Sequence, residues 1–244
     1  MTRRIGIISD ANFYVGPALA RLLASREHDL VLGDASDELV AEIEGTGATV
    51  VNVTGVGRLG EGDAEKLVAA AQDRFGRIDC ATAFTGQIVV GRFLKSSVED
   101  LRTVMTGCLE QPYNFLRAIV PVMVEQGDGQ VLVLTSAAGA RPTPGAPLYS
   151  SARAGANMLV RNVAGEVAKS GVQVNAVGTN FMDFPGFLAA NRVTDAESRA
   201  RVEEMVPMKR LGTMDELAHF CATFVDGTSR FTTGQFVAYA GGWA

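Results

Sequence analysis

The chain has 244 residues, 47% of them hydrophobic and 20% charged, enough to bury a sizeable core and too apolar for a disordered or fibrous protein. Its formal net charge is −5, and the lysines and arginines are scattered, so no electrostatic footprint for nucleic acid or an anionic membrane is present. The expected partner is a small molecule or another copy of the chain.

Met1-Thr-Arg-Arg4 runs straight into a short apolar stretch, Ile5-Gly-Ile-Ile8, too short for a signal peptide, and no later run approaches the length of a membrane span. A cytoplasmic location is expected. Leu19, Leu22 and Leu23 then fall at helical spacing, and Asp29-Leu-Val-Leu32 ending at Asp34 gives the next strand, a βαβ unit. The alternation continues with a strand at Ala48 to Val53, a helix at Asp63 to Phe75, a strand at Ile78 to Phe84, and a long helix from Val98 to Gln126 that Pro112 and Pro121 are placed to bend. Gln130 to Leu134 is a strand, Pro147 to Lys169 a helix, and Val172 to Val177 a strand. A loop and helix segment at 179–208 interrupts before a helix at Met214 to Val225 and a last strand at Gln235 to Tyr239. Such alternation predicts an α/β fold, one Rossmann-like domain spanning 1–244 with a doubly wound parallel sheet, and 179–208 as an insertion over the active site. Cys80, Cys108 and Cys221 are odd in number and widely spaced, which fits buried free thiols in a reducing compartment rather than disulfides or a metal site.

In open sheets of this kind ligands sit outside the carboxyl ends of the strands, so residues following Ile8, Phe84, Leu134 and Val177 converge on one crevice. Ser136 lies there. Tyr149 and Arg153 follow at i and i+4 near a helix start, behind the rigid Pro142-Thr-Pro-Gly-Ala-Pro147 loop. A phenol titrates near ~10, too high for a base at neutral pH, but a guanidinium beside it favours the phenolate. Tyr149 is thus a candidate general base, Arg153 a fixed charge, and Ser136 a hydrogen-bond donor to a substrate oxygen.

The arrangement resembles the short-chain dehydrogenase/reductase superfamily along nearly the whole chain, including Asn175-Ala-Val177, Thr233-Gly-Gln235 and Gly241-Gly242. It departs from the superfamily pattern where that pattern meets a dinucleotide. The superfamily's Tyr-x-x-x-Lys motif, whose lysine holds the nicotinamide ribose, has Arg153 in the last position. Its Gly-rich first turn is replaced by Asn12-Phe-Tyr-Val-Gly16, its Asn-Asn-Ala-Gly reads Ala83-Phe-Thr-Gly86, its helix asparagine is Thr106, and its Pro-Gly reads Thr179-Asn180. With those departures the chain is similar to the halohydrin dehalogenases, whose Thr-x4-aromatic-x-Gly signature here reads Ser9-x4-Tyr14-x-Gly16 and whose Ser-x12-Tyr-x3-Arg spacing matches in full.

That resemblance implies a lyase needing no cofactor, closing vicinal haloalcohols to epoxides with release of halide and opening epoxides with small anions. Ser136 then binds the substrate oxygen, Tyr149 takes its proton and Arg153 lowers the Tyr149 pKa. It also implies a homotetramer built through the helices near 98–126 and 147–170. The halide needs backbone N–H groups and aromatic edges rather than a fixed cation. By resemblance Tyr14 is the pocket aromatic and the loop of Thr179, Asn180, Phe181 and Met182 wraps the halide; Phe13, Phe84, Phe184 and Phe187 complete the expected halide and substrate pocket. Trp243 is expected against a neighbouring subunit or over its pocket.

Two alternatives compete: an NAD(P)-dependent reductase with a divergent first turn, supported by Asp34 at the ribose-binding strand end, and a catalytically silent ligand-binding relative. Gly55-Val-Gly-Arg-Leu-Gly60 spells G-x-G-x-x-G, but it follows the third strand and lacks a strand-end acid about 20 residues on, so it reads as a flexible loop. His28 and His219, the only histidines, lie away from Ser136 in the expected fold, and no G-x-S-x-G elbow is present, which disfavours a serine hydrolase.

Overall fold

Seven apolar runs become the strands of one parallel sheet: β1 (Arg4–Ile8), β2 (His28–Gly33), β3 (Val50–Val53), β4 (Cys80–Phe84), β5 (Gly129–Ser136), β6 (Val172–Thr179) and β7 (Phe236–Tyr239). They lie in the order β3-β2-β1-β4-β5-β6-β7, with every pairing parallel. The computed structural model describes residues 3–244. Parallel strands need crossovers, supplied by α1 (Gly16–Ser25), α2 (Asp37–Glu44), α3 (Asp63–Phe75), α4 (Val98–Met105), α5 (Gln111–Gln126), α6 (Pro147–Val167) and α9 (Met214–Val225). Two further helices, α7 (Pro185–Ala190) and α8 (Ala196–Glu204), lie in the insertion.

Side-chain alternation divides the core into two layers. Ile8, Leu30, Leu32, Leu132 and Leu134 pack against Leu19 and Leu23 of α1 and Leu217 and Cys221 of α9. Ile7, Val31, Val131 and Val133 pack against Leu67 of α3, Phe115 and Ile119 of α5 and Val160 of α6. With both faces covered, every residue of β4 and β5 is buried. The chain leaves β1 toward β2 and β3 on one side and returns to β4 on the other, and the crevice opens at that reversal.

The long helix expected over 98–126 is divided. Residues Thr106–Glu110 form a π-helical segment between α4 and α5. Pro112 follows at once; it has no N–H to donate and its ring crowds the carbonyl four residues back, at Cys108, so the wider turn relieves a helix that could not continue regularly. Pro121 lies inside α5 without ending it. β6 extends beyond Val177 because Gly178 and Thr179 still pair with Thr135 and Ser136 on one side and Ala238 and Tyr239 on the other.

The insertion has a small core of its own, Phe181, Val202, Val206 and Leu211. Trp243, expected at a subunit boundary, packs into this cluster within its own chain, 5.6 Å from Phe181 and with the Arg141 guanidinium 4.7 Å from its ring. The three cysteines are buried free thiols, and among the described residues no helix is long and apolar enough to cross a membrane.

Candidate active site

Ser136 is the last residue of β5, 6% exposed at the crevice. The chain leaves it through a 3-10 turn, Ala137–Ala140. The Ser136 hydroxyl accepts a hydrogen bond from the Ala138 N–H at 3.1 Å and donates a long one, 3.4 Å, to the Thr179 carbonyl. α6 begins at Pro147, whose fixed φ and missing N–H suit a first helical position. One residue after Tyr149, Ser150 donates to the Ala138 carbonyl at 2.8 Å and to the Arg141 carbonyl at 3.1 Å. The start of α6 is thereby tied to the turn that carries Ser136, and Tyr149 is held in register with it.

Arg153, one helical turn later, is 4% exposed. Its guanidinium carbon lies 5.3 Å from the Tyr149 ring centre, within the range of a cation–π contact. The guanidinium donates to the Thr85 hydroxyl at 3.2 Å and to the Thr85 carbonyl. Among the described residues no carboxylate pairs with it and its Nε has no acceptor. The charge beside Tyr149 is buried among neutral groups. The sequence shows Thr85 and Gly86 only within the departure Ala83-Phe-Thr-Gly86, with no role; a glycine two residues past the strand end at Phe84 is the available signal.

The opposite wall is aromatic. Ser9 follows β1, and its hydroxyl accepts from the Phe84 N–H at 3.1 Å, tying two strand ends together. Tyr14 has φ +55°, a left-handed conformation costly for a residue with a Cβ. Its hydroxyl donates to Thr179 Oγ1 at 2.8 Å, and its ring meets Phe184 edge-on at 4.7 Å. Burial pushes the Tyr14 hydroxyl well above the usual phenol range. Phe13 is exposed and reaches Phe184 at 6.0 Å. Phe84 and Met182 lie beneath in the core layer that Tyr14 and Phe184 pack against.

Of the expected pocket residues the structure thus gathers Phe13, Tyr14, Thr179, Phe184, Phe84 and Met182. Asn180 turns its side chain to the Phe181 N–H at 2.9 Å. Phe181 and Phe187 are not brought to Tyr14: Phe181 has φ +55°, and at this reversal the two rings join Trp243 in the insertion core, 5.7 Å apart.

The family suggested by the fold uses a nicotinamide dinucleotide. As folded, the first turn does not fit its pyrophosphate. Two N–H groups of the turn are engaged within it, Asn12 with the Asp10 carboxylate at 3.2 Å and Gly16 with the Phe13 carbonyl at 3.0 Å, and the Tyr14 ring crosses to Thr179. Burial raises the Asp10 carboxyl above its usual range, offset in part by the Asn12 N–H and reinforced by the nearby Asp34 charge. Asp34 accepts from the N–H groups of Gly55, Val56 and Gly57. The Gly55–Gly60 loop, expected to be flexible, is therefore tied down, with Val56 and Leu59 fully buried beneath it.

The family described as enoyl-(acyl carrier protein) reductase matches residues 14–244. A 3-oxoacyl-[acyl-carrier-protein] reductase of Synechocystis sp. is 30% identical over 99% of this chain and 97% of its own length. The (2S)-[(R)-hydroxy(phenyl)methyl]succinyl-CoA dehydrogenase subunit BbsC of Thauera aromatica is 30% identical over 98% of this chain and 94% of its own. In fold, the chain is similar to levodione reductase, with a TM-score of 0.87 and 24% identity over 99% and 98% of the two chains, and to ElxO with NADP bound, with a TM-score of 0.87 and 17% identity over the same shares.

These relatives overturn the expected carbon–halogen lyase acting without a cofactor on haloalcohols and epoxides: the full-length matches are reductases and dehydrogenases. The physical reason is that the spacing from Ser136 to Tyr149 to Arg153 is set by a strand end and a helix start. Any member of the fold with a basic residue one turn after the tyrosine presents it, whatever bond changes at the substrate carbon.

Proposed function

The chain belongs to the short-chain dehydrogenase/reductase superfamily, and from that premise we propose that it is an oxidoreductase acting on the hydroxyl or carbonyl carbon of a small, largely apolar substrate, with a nicotinamide dinucleotide as redox partner. One observation carries the redox reading, the match to the reductase family over residues 14–244 with full-length reductase and dehydrogenase relatives. The site supports it, with the turn after Ser136 tied by Ser150 to the start of α6 that carries Tyr149, and the buried charge of Arg153 beside the tyrosine. A substrate oxygen entering there can take the Ser136 hydrogen bond in place of the long one to the Thr179 carbonyl, and Tyr149 exchanges the proton of that oxygen. Phe84, Met182 and Phe184 offer the apolar wall for the rest of the substrate. Because the first turn does not fit the pyrophosphate as folded, no contact of this chain with the nicotinamide is assigned, and dinucleotide binding requires the Tyr14 ring to leave Thr179 and Phe184.

The test is turnover of a panel of ketones, 3-oxoacyl thioesters and secondary alcohols with NAD(H) and NADP(H), followed by the absorbance of the reduced nicotinamide, with Tyr149→Phe alongside. The expected result is turnover reduced by about 100-fold or more in the variant, the scale of a lost acid–base group. Absence of turnover and of dinucleotide binding in the wild-type protein refutes the reading.

The same family reading extends to assembly: Leu101, Met105, Tyr113, Val124 and Met158 are exposed on α4, α5 and α6, and a homotetramer built through these helices covers them. The buried free thiols are consistent with a reducing, cytoplasmic setting.

A further inference from the structure

Directly after β4 the chain passes close under Arg153. Gly86 has φ +139°, and a Cβ placed on it would lie 1.9 Å from Arg153 Nη2 and 2.8 Å from Cζ. The guanidinium occupies the space a side chain at position 86 would fill. Thr85 presents its carbonyl and hydroxyl to the two terminal nitrogens. The other side of this segment rests on the π-helical turn, where a Cβ on Gly107 would lie 2.5 Å from Gln87 N and from Gln87 Cβ, and Cys108 Sγ donates to the Gln87 carbonyl at 3.4 Å.

We propose that Thr85-Gly86, backed by Gly107 and Cys108, is the seat that positions the Arg153 guanidinium against Tyr149, with the guanidinium filling the space left open at Gly86. These are positioning residues: they touch Arg153, and act on the reaction only through it. The seat also explains how the charge stays available. Thr85 satisfies the terminal nitrogens with neutral acceptors, so nothing in the seat cancels the positive charge directed at the Tyr149 ring. The π-helical turn acquires a purpose too, since a regular helix through Thr106–Glu110 would not present Gly107 to Gln87 in the same way. The effect on catalysis rests on the oxidoreductase reading; the seat itself does not.

The experiment is a double-mutant cycle, Gly86→Ala, Arg153→Lys and the pair, read by urea unfolding and by kcat and KM. Lysine lacks the planar fork and its Nη2, so it leaves room for the new methyl group. Expected are a loss of stability in Gly86→Ala that is clearly smaller in the Arg153→Lys background, and a kcat lowered about 100-fold by displacement of the charge, with KM little changed and kcat partly recovered in the pair. Thr85→Val, a milder change, is expected to lower kcat in the same direction while leaving the fold intact. Additive stability effects in the cycle overturn the seat. A seat present in the stability cycle with unaltered kcat in Gly86→Ala and Thr85→Val overturns its positioning role. Absence of any wild-type turnover counts against the oxidoreductase reading, while the stability cycle still decides the seat.

Discussion

Tyr14→Gly is expected to tighten dinucleotide binding, because Tyr14 is what closes the crevice at the first turn. For the pyrophosphate to reach the turn, the hydroxyl must give up its 2.8 Å bond to Thr179 and the ring its 4.7 Å edge-on contact with Phe184. A hydrogen bond of this kind contributes about 0.5–1.5 kcal/mol net, and an aromatic pair a further ~0.5–1.5 kcal/mol beyond area burial. Together these two contacts hold the crevice shut by about 1–3 kcal/mol, equivalent to roughly 5- to 150-fold in dissociation constant, a lower bound because apolar burial of the ring adds to it. Glycine accepts the φ of +55° at this position without the penalty that a Cβ incurs. Thr179→Val removes only the hydrogen bond and should tighten binding by about 2- to 10-fold. The assay is isothermal titration of NADH and NADPH into wild type and both variants, with melting temperatures to establish that each is folded. Equal affinity in wild type and Tyr14→Gly refutes the reasoning, and so does a gain for Thr179→Val that exceeds the gain for Tyr14→Gly.

Two further predictions concern stability. Phe115 is fully buried beneath the sheet among Leu67, Ile119 and Val133, so Phe115→Ala should cost about 3–5 kcal/mol in urea unfolding; a cost near ~1 kcal/mol would mean that α5 is not packed as described. Glu216 accepts from Arg210 and from the Thr213 N–H, first and second in effect, which together lower its carboxyl from the usual 4.5 to about 2. A depressed carboxyl stabilises the fold fully above pH 4.5 and loses that contribution as pH falls toward 2. Glu216→Gln should therefore flatten the fall of melting temperature across that window and nowhere else, and an unchanged acid limb would sink the assignment.

The sheet is legible in the sequence because parallel strands buried on both faces leave near-continuous apolar runs. Ile5 to Ile8, Asp29 to Leu32 and Val131 to Leu134 announce themselves, whereas Gly178 and Thr179 do not, since they stay in β6 only through pairing on both sides. The break in the long helix is legible in part, since Pro112 is placed to bend it, but that the distortion takes the form of a π-helical turn at Thr106–Glu110 is not, because no periodicity marks it. In the site, Ser136, Tyr149 and Arg153 could be found because their spacing is fixed locally. Phe181 and Phe187 join Trp243 in the insertion core while Phe184, between them, still meets Tyr14, and nothing in an aromatic-rich stretch signals how the left-handed turn at Phe181 sorts these rings. The Thr85-Gly86 seat was out of reach because it is defined by the far end of a side chain from position 153.

What the three site residues cannot encode is the change at carbon. In the proposed reading Ser136, Tyr149 and Arg153 manage one oxygen and its proton, and that task is common to every reaction in which an alkoxide forms or is quenched. Across the crevice Tyr14 joins two segments, its hydroxyl bonded to Thr179 and its ring set edge-on to Phe184. Such a wall is held by contacts between segments 165 residues apart in sequence, so its shape follows from how the loops meet and not from a motif in either. The proton-handling residues alone therefore leave the reaction class open, and it is the reductase and dehydrogenase relatives that exclude the lyase. For this chain that wall turns on the Tyr14–Thr179 hydrogen bond and the edge-on contact with Phe184, together about 1–3 kcal/mol before burial of the Tyr14 ring in the core layer is added. Displacement of the Tyr14 ring is therefore the step on which dinucleotide binding depends in the proposed reading, and Tyr14→Gly isolates it.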